Sequence, residues 1–275
     1  MSFSVWIKPS NYPNCYPTLI GTKLTNPTPY PEVNAVLHSL LANVQAILGD
    51  QFVALYLYGS LSSGDFDPAT SDIDFCVVTQ DEVPETLIPA LEAMHMKYAT
   101  SEDYWAHKLE GAYIPQAAMR RYTPGEPPRP AINEGKFYLA GQGSDWIIQR
   151  HIMRESGVVL AGPEPRELID PVSAQDIRAS VAGVLREWWE PLIQKPDWID
   201  NPLYQSYAVL TMARALYTFE SGTVASKPKS AQWAQQALPQ YADLIARAAA
   251  WKPGMPFDRL DETLDLIRYT VERSR

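Results

Sequence analysis

Tyr56-Leu-Tyr-Gly-Ser-Leu-Ser-Ser-Gly-Asp-Phe-Asp-Pro-Ala-Thr-Ser-Asp-Ile-Asp-Phe-Cys-Val-Val78 decides how the rest of the chain is read. Phe52 to Tyr58 is an apolar, aromatic-rich run that ends at a glycine. Ile73 to Val78 is a second apolar run, rich in β-branched residues, and both have the composition of buried strands. Gly, Ser, Asp and Pro fill the segment between them and mark it as a turn-rich loop. Asp72 and Asp74 lie where that loop meets the second strand. Side chains alternate along a strand, so these two carboxylates point the same way, at the mouth of a sheet. Two hard oxygen donors suit Mg²⁺, which combines carboxylates with substrate phosphates. Gly59 lets the backbone approach a ligand closely, and Ser60 offers a hydroxyl and a backbone N–H to a phosphate. A lone Asp-x-Asp at a strand end is ordinarily a solvated turn. The order strand, Gly-Ser, loop, Ser-Asp-x-Asp, strand is what carries information.

The chain has 275 residues, room for one large domain or two ordinary ones. Apolar residues make up 46%, enough for a sizeable core, and no apolar run reaches membrane-spanning length. The first residues have no basic region followed by an apolar core, so no secretory signal is expected. Cys15 and Cys76 are the two cysteines. Cys76 falls inside a predicted strand, which argues against a disulfide and for a reducing, cytoplasmic setting. The net charge of −9 is carried by the first 170 residues, while the remainder is balanced. Such a surface disfavours nucleic acid and attracts a cationic small molecule.

Residues 1–30 read as an extended lead-in. Glu32 to Leu48 places Val33, Val36, Leu37, Leu40, Leu41, Val44 and Leu48 at helical spacing, and Gly49 follows as a stop. His38, beside that stripe, has no partner at ligand spacing. Pro84 to Tyr98 reads as a helix. Leu109 to Pro115 reads as a third strand with Glu110 near its start, a position that is ordinarily exposed. Thr123 to Pro130, with its four prolines, reads as a loop. Ser144 to Ser156 is a helix capped by Ser144 or Asp145 and closed by Gly157, and Val158 to Ala161 is a short strand. A boundary near residue 170 gives domains 1–170 and 171–275. The second reads as five helices, over Ala174–Gln194, Leu203–Ser221, Lys229–Leu238, Tyr241–Trp251 and Arg259–Arg273, separated by prolines and glycines.

The 56–78 pattern resembles the nucleotidyltransferase superfamily related to DNA polymerase β. Leu210 to Gly222, Ser226-Lys-Pro and Ala231-Gln-Trp-Ala234, with Val159 to Pro163 and Leu168 to Val172, resemble the aminoglycoside adenylyltransferases acting on streptomycin and spectinomycin. The resemblance runs from about Glu32 onward. It implies an α/β (α+β) nucleotidyltransferase domain with a mixed sheet, followed by an all-α bundle, with the active site in the cleft between them. It implies that Ser60 and Ser71 contact ATP phosphates and that Asp72 and Asp74 bind two Mg²⁺. Glu110 becomes a third metal ligand and the general base. Asp145 contacts ATP, Arg214 and Lys227 grip the triphosphate, and Trp251 stands beside the nucleotide. As bare residues, Arg214 on an amphipathic helix reads as solvated and Trp251 as core.

The chain also departs from that family. The streptomycin-modifying enzymes carry an acid ten residues before the arginine, where this chain has Tyr204, which cannot neutralise an ammonium near neutral pH. Pro-Asp-Trp survives at 196–198, but at a longer spacing. Trp188, Trp189, Asp197, Trp198 and Asp200 are the remaining candidates for the acceptor pocket. The expectation is therefore an ATP-dependent adenylyltransferase acting on a small-molecule hydroxyl, with no membrane or nucleic-acid partner, and monomeric. Its rivals are the same chemistry on another metabolite or a protein hydroxyl, a non-catalytic nucleotide-binding protein, and a glycosyltransferase whose Asp-x-Asp holds a metal.

Overall fold

The computed structural model describes residues 26–68, 70–133 and 135–275. The lead-in up to residue 25, with Cys15, lies outside them. Two compact units emerge. Among the described residues, those from 26 to 142 together with Gln149–Pro171 form the first, and Gly143–Ile148 with Val172–Arg275 form the second. Gly143–Ile148, which the sequence reading assigns to the first domain, therefore group with the helices.

The first unit is built on six strands: β1 (Phe52–Leu57), β2 (Ile73–Thr79), β3 (Leu109–Pro115), β4 (Arg129–Asn133), β5 (Lys136–Ala140) and β6 (Val158–Ala161), in the order β5-β4-β3-β2-β1-β6. β2 and β3 run parallel; the other neighbours are antiparallel. Every residue of β2 and β3 is buried, which is why both read as continuous apolar runs rather than alternating ones. Helix α1 (Pro31–Leu48) buries the predicted stripe against Leu55, Leu57, Phe75 and Val77 and stops at Gly49, whose φ is 53°. His38 lies on the exposed side. Burial pushes the Cys76 thiol up to about 12, so it is an inert core group.

A short α2 (Ser60–Ser63) opens the loop that the sequence marked only as turns. The segment read as one helix from Pro84 is a 3-10 turn at Glu85–Leu87 followed by α3 (Ile88–Ala99). Proline at the start of a helix suits its missing N–H, and Pro89 marks where α3 begins. After β3 come α4 (Gln116–Arg120), then α5 (Asp145–Ser156) and α6 (Pro165–Leu168). The loop read over Thr123–Pro130 is corrected at its end: Arg129 and Pro130 open β4. Pro130 is tolerated there because the rungs to β3 begin at Ala131. Buried Arg129 anchors this strand through Glu82 and Glu126, each at 2.6 Å.

In the second unit, α7 (Ala174–Val184) starts at a capping box formed by Ser173 and Asp176. It runs into a π-helical turn, Leu185–Trp189, and then α8 (Glu190–Leu192), so the single helix read over Ala174–Gln194 is three pieces. Asn201 caps α9 (Pro202–Ser221) by accepting the Tyr204 N–H at 3.0 Å. Most of α9 is buried, as expected of a helix surrounded by others. Helices α10 (Lys227–Ala237), α11 (Ala242–Ala250) and α12 (Leu260–Arg273) all pack on it. No described helix is long and apolar enough to cross a membrane.

Candidate active site

The parallel register between β2 and β3 sets Asp74 directly opposite Glu110. Residues opposite each other in a sheet project from the same face, so the two carboxylates form one rung. Both are buried, at 5% and 4% exposure. The exposed Glu110 expected of a strand start is thus replaced by a buried one. Asn133, on β4, donates from Nδ2 to Glu110 Oε1 at 2.5 Å and fixes that carboxylate.

One step outward, Ile73 pairs with Leu109, and beyond that pair Asp72 meets Lys108. Lys108 Nζ lies 3.1 Å from Asp72 Oδ1, with a quarter or less of each side chain exposed. This pair stands just outside the first paired residues of the two strands, with Lys108 closing a 3-10 turn at Ala106–Lys108.

Gly59 follows β1 with φ 68°, a conformation that disfavours side chains. A Cβ there would stand 2.0 Å from Asp74 Oδ2. The glycine therefore makes room first for the carboxylate of its own chain. Ser60 follows as the first residue of α2 and is partly exposed. Ser71 is buried, and its Oγ accepts the Asp67 N–H at 2.9 Å. This bond ties the loop that leads into β2.

Among the described residues, no three His, Cys, Asp or Glu side chains are gathered as a ready-made metal cage. The donor set nevertheless suits Mg²⁺, which is held by one or two carboxylates and completed by substrate phosphates and water. Asp72 and Asp74 supply hard oxygens, and the space kept by Gly59 lies against Asp74.

In the helical unit, Asp145 is the first residue of α5, and its Oδ1 would lie 2.8 Å from a Cβ on Gly143. Ser180 Oγ donates to Ser144 O at 2.6 Å and holds this turn against α7. Arg214 is buried in the middle of α9, where a solvated arginine was the plain expectation. Lys227 begins α10, is 4% exposed, and holds Nζ 5.1 Å from the centre of the Tyr207 ring. Trp251 ends α11, half-buried, donating from Nε1 to Met255 O at 2.8 Å.

The acceptor candidates fall in one aromatic group. Trp198 stacks on Tyr204 with centroids 4.3 Å apart and meets Trp188 edge-on at 6.1 Å. Trp189 packs on Tyr207 at 5.8 Å. Trp189 is 2% exposed and is core, so only Trp188, Trp198 and Tyr204 retain surface that could form a wall. Asp197 and Asp200 are exposed beside them. Three residues of these sites escaped the sequence reading. Lys108 had a signal only in its place, directly before the strand that carries Glu110. Asn133 and Tyr207 had none, since each acts only through a tertiary neighbour.

A mixed sheet whose one parallel pair sets two carboxylates in register, behind a Gly-Ser turn and ahead of a helical unit, defines a nucleotidyltransferase. The family model described as "Nucleotidyltransferase domain" matches residues 42–120, and that described as "Aminoglycoside adenylyltransferase, C-terminal domain" matches residues 167–274. The chain belongs to the aminoglycoside adenylyltransferase family. It is 30% identical over 251 residues to an aminoglycoside (3'') (9) adenylyltransferase of Escherichia coli, covering 87% of this chain and 92% of that one. It is 24% identical to a spectinomycin 9-adenylyltransferase of Campylobacter jejuni, over 74% of this chain and 79% of that one. Its fold is similar to that of spectinomycin adenyltransferase from Enterococcus faecialis, solved with ATP and spectinomycin. The TM-score is 0.68 at 18% identity, covering 87% of this chain and 98% of that one.

Proposed function

We propose that this enzyme transfers AMP from ATP to a hydroxyl of an aminocyclitol antibiotic, and so confers resistance to it. The observation that carries the reading is the in-register pair of buried carboxylates, Asp74 and Glu110, with Asp72 two residues upstream. Asp72 and Asp74 hold two Mg²⁺ together with the phosphate oxygens. Mg²⁺ held there would supply positive charge for the in-line displacement of pyrophosphate from the α-phosphorus. Glu110 contributes a metal ligand and takes the proton of the acceptor hydroxyl, whose oxygen bonds to the α-phosphorus as the bond to pyrophosphate breaks. Asn133 keeps that carboxylate aimed. Ser60 donates to a phosphate, Asp145 and Trp251 contact the nucleotide, and Arg214 and Lys227 bind the triphosphate. Ser71 contacts the phosphates beside Ser60.

The acceptor is cationic. Trp188, Trp198 and Tyr204 present aromatic faces to its ammonium groups, and Asp197 and Asp200 supply charge at the rim. With Tyr204 stacked where an acid stands in the streptomycin-modifying enzymes, spectinomycin is the better substrate and streptomycin the poorer. The enzyme works in the cytoplasm, where ATP and Mg²⁺ are supplied. The test is pyrophosphate release with ATP, Mg²⁺ and a panel of aminoglycosides, aminocyclitols and plain polyols. Release that requires an amine-free acceptor, or that occurs equally with every hydroxyl compound, would overturn the assignment.

A further inference from the structure

We propose that Lys108 is a tethered counter-ion that occupies Asp72 in the free enzyme and gives way when metal arrives. It thereby sets how much divalent cation the site requires. The inference rests on the reading that Asp72 is a metal ligand.

The site has two successive pairs of charged side chains. The inner one, Asp74 with Glu110, is carboxylate against carboxylate and buried. The outer one, Asp72 with Lys108, is an ion pair at 3.1 Å. Three carboxylates this close at the ends of two paired strands repel one another, and a single ammonium at the outer pair relieves part of that repulsion. The pair is not sealed: 25% of the Lys108 side chain and 22% of the Asp72 side chain are exposed. A partly exposed pair of this kind is weak enough to exchange. Lys108 also has a second place to rest, because its Nζ lies 5.8 Å from the centre of the exposed Tyr104 ring.

An ammonium 3.1 Å from Asp72 Oδ1 and a divalent ion on the same carboxylate repel each other. Metal entry works against the Lys108 charge, and the work of moving it aside appears as weaker metal binding.

The experiment titrates Mn²⁺ alone into the full chain, without nucleotide or acceptor, and counts free Mn²⁺ by electron paramagnetic resonance. Lys108→Met should bind Mn²⁺ about three- to fivefold more tightly than the native enzyme, the range expected for removing one partly exposed ion pair. Lys108→Arg, which keeps the charge, should stay near the native value. The rise of melting temperature with Mn²⁺ reports the same affinities independently. Asp72→Asn serves as the reference and should weaken binding. Equal or weaker Mn²⁺ binding by Lys108→Met, with Asp72→Asn impaired, overturns the role of Lys108 alone. Unchanged binding by Asp72→Asn overturns it together with the metal assignment of Asp72.

Discussion

The strand pair β2–β3 and the aromatic group around α9 place functional side chains by different means. In the strands, placement is periodic. Parallel register sets Asp74 opposite Glu110 on one face, and the ion pair of Asp72 and Lys108 follows just beyond the strand ends. Around α9, placement depends on where a π-helical turn, a 3-10 turn and a cap happen to leave large rings. Trp188 and Trp189 are adjacent in sequence, yet one keeps exposed surface and the other is core. In the proposed function the periodic part carries the chemistry, and the irregular part carries the acceptor preference, which can change without disturbing it.

Four substitutions probe that contrast, in order of expected effect. Asp74→Asn removes a carboxylate from the inner rung. Transfer should fall by at least about 10³-fold, while the melting temperature holds or rises because a like-charge contact is lost. Normal turnover of this variant at saturating Mg²⁺ would falsify the metal assignment. Glu110→Gln should lower kcat by roughly 10²–10⁴-fold and leave ATP binding in place. Loss of ATP binding and of the folded state together, seen by calorimetry and circular dichroism, would instead mark Glu110 as structural.

Two smaller effects belong to the helical unit. Lys227→Ala should weaken ATP binding by about 1.5–3 kcal/mol, the worth of one charged hydrogen bond. Isothermal titration reads it directly, and an unchanged dissociation constant removes Lys227 from the nucleotide site. Trp198→Ala should raise the KM for a cationic acceptor by about 0.5–2 kcal/mol and leave the KM for ATP unaltered. Equal effects on both substrates would show that the ring supports the fold rather than the pocket.

Legibility followed the same division. β1, β2, β3 and β6 were readable because buried strands are apolar runs bounded by turns. The starts of α1, α9 and α12 were readable to within two residues of their actual positions. The stretch with β4 and β5 was not, since prolines masked the approach to β4 and β5 is only half-buried, with Lys136 and Leu139 exposed. The inner carboxylates were legible as spacing, but their burial was not, because it depends on Gly59 and Asn133 arriving from other elements. Ser71 was read by its place in a motif, while its actual contact is a local loop bond that no motif encodes. Trp189 and Arg214 show the converse: composition alone does not tell which side of a helix the fold will cover.

The parallel pairing of β2 and β3 also has a consequence for how the protein reaches its folded state. β1 and β2 are neighbours across a short loop and can pair early. The rung between Asp74 and Glu110 closes only after the chain has run through α3 and back. Closing such a segment costs about 3 kcal/mol of chain entropy, and pairings of that separation form slowly. During refolding, the ability to bind Mg²⁺ and ATP should therefore lag behind the recovery of helical and hairpin signal, so that a ligand added in excess reports the arrival of β3 beside β2.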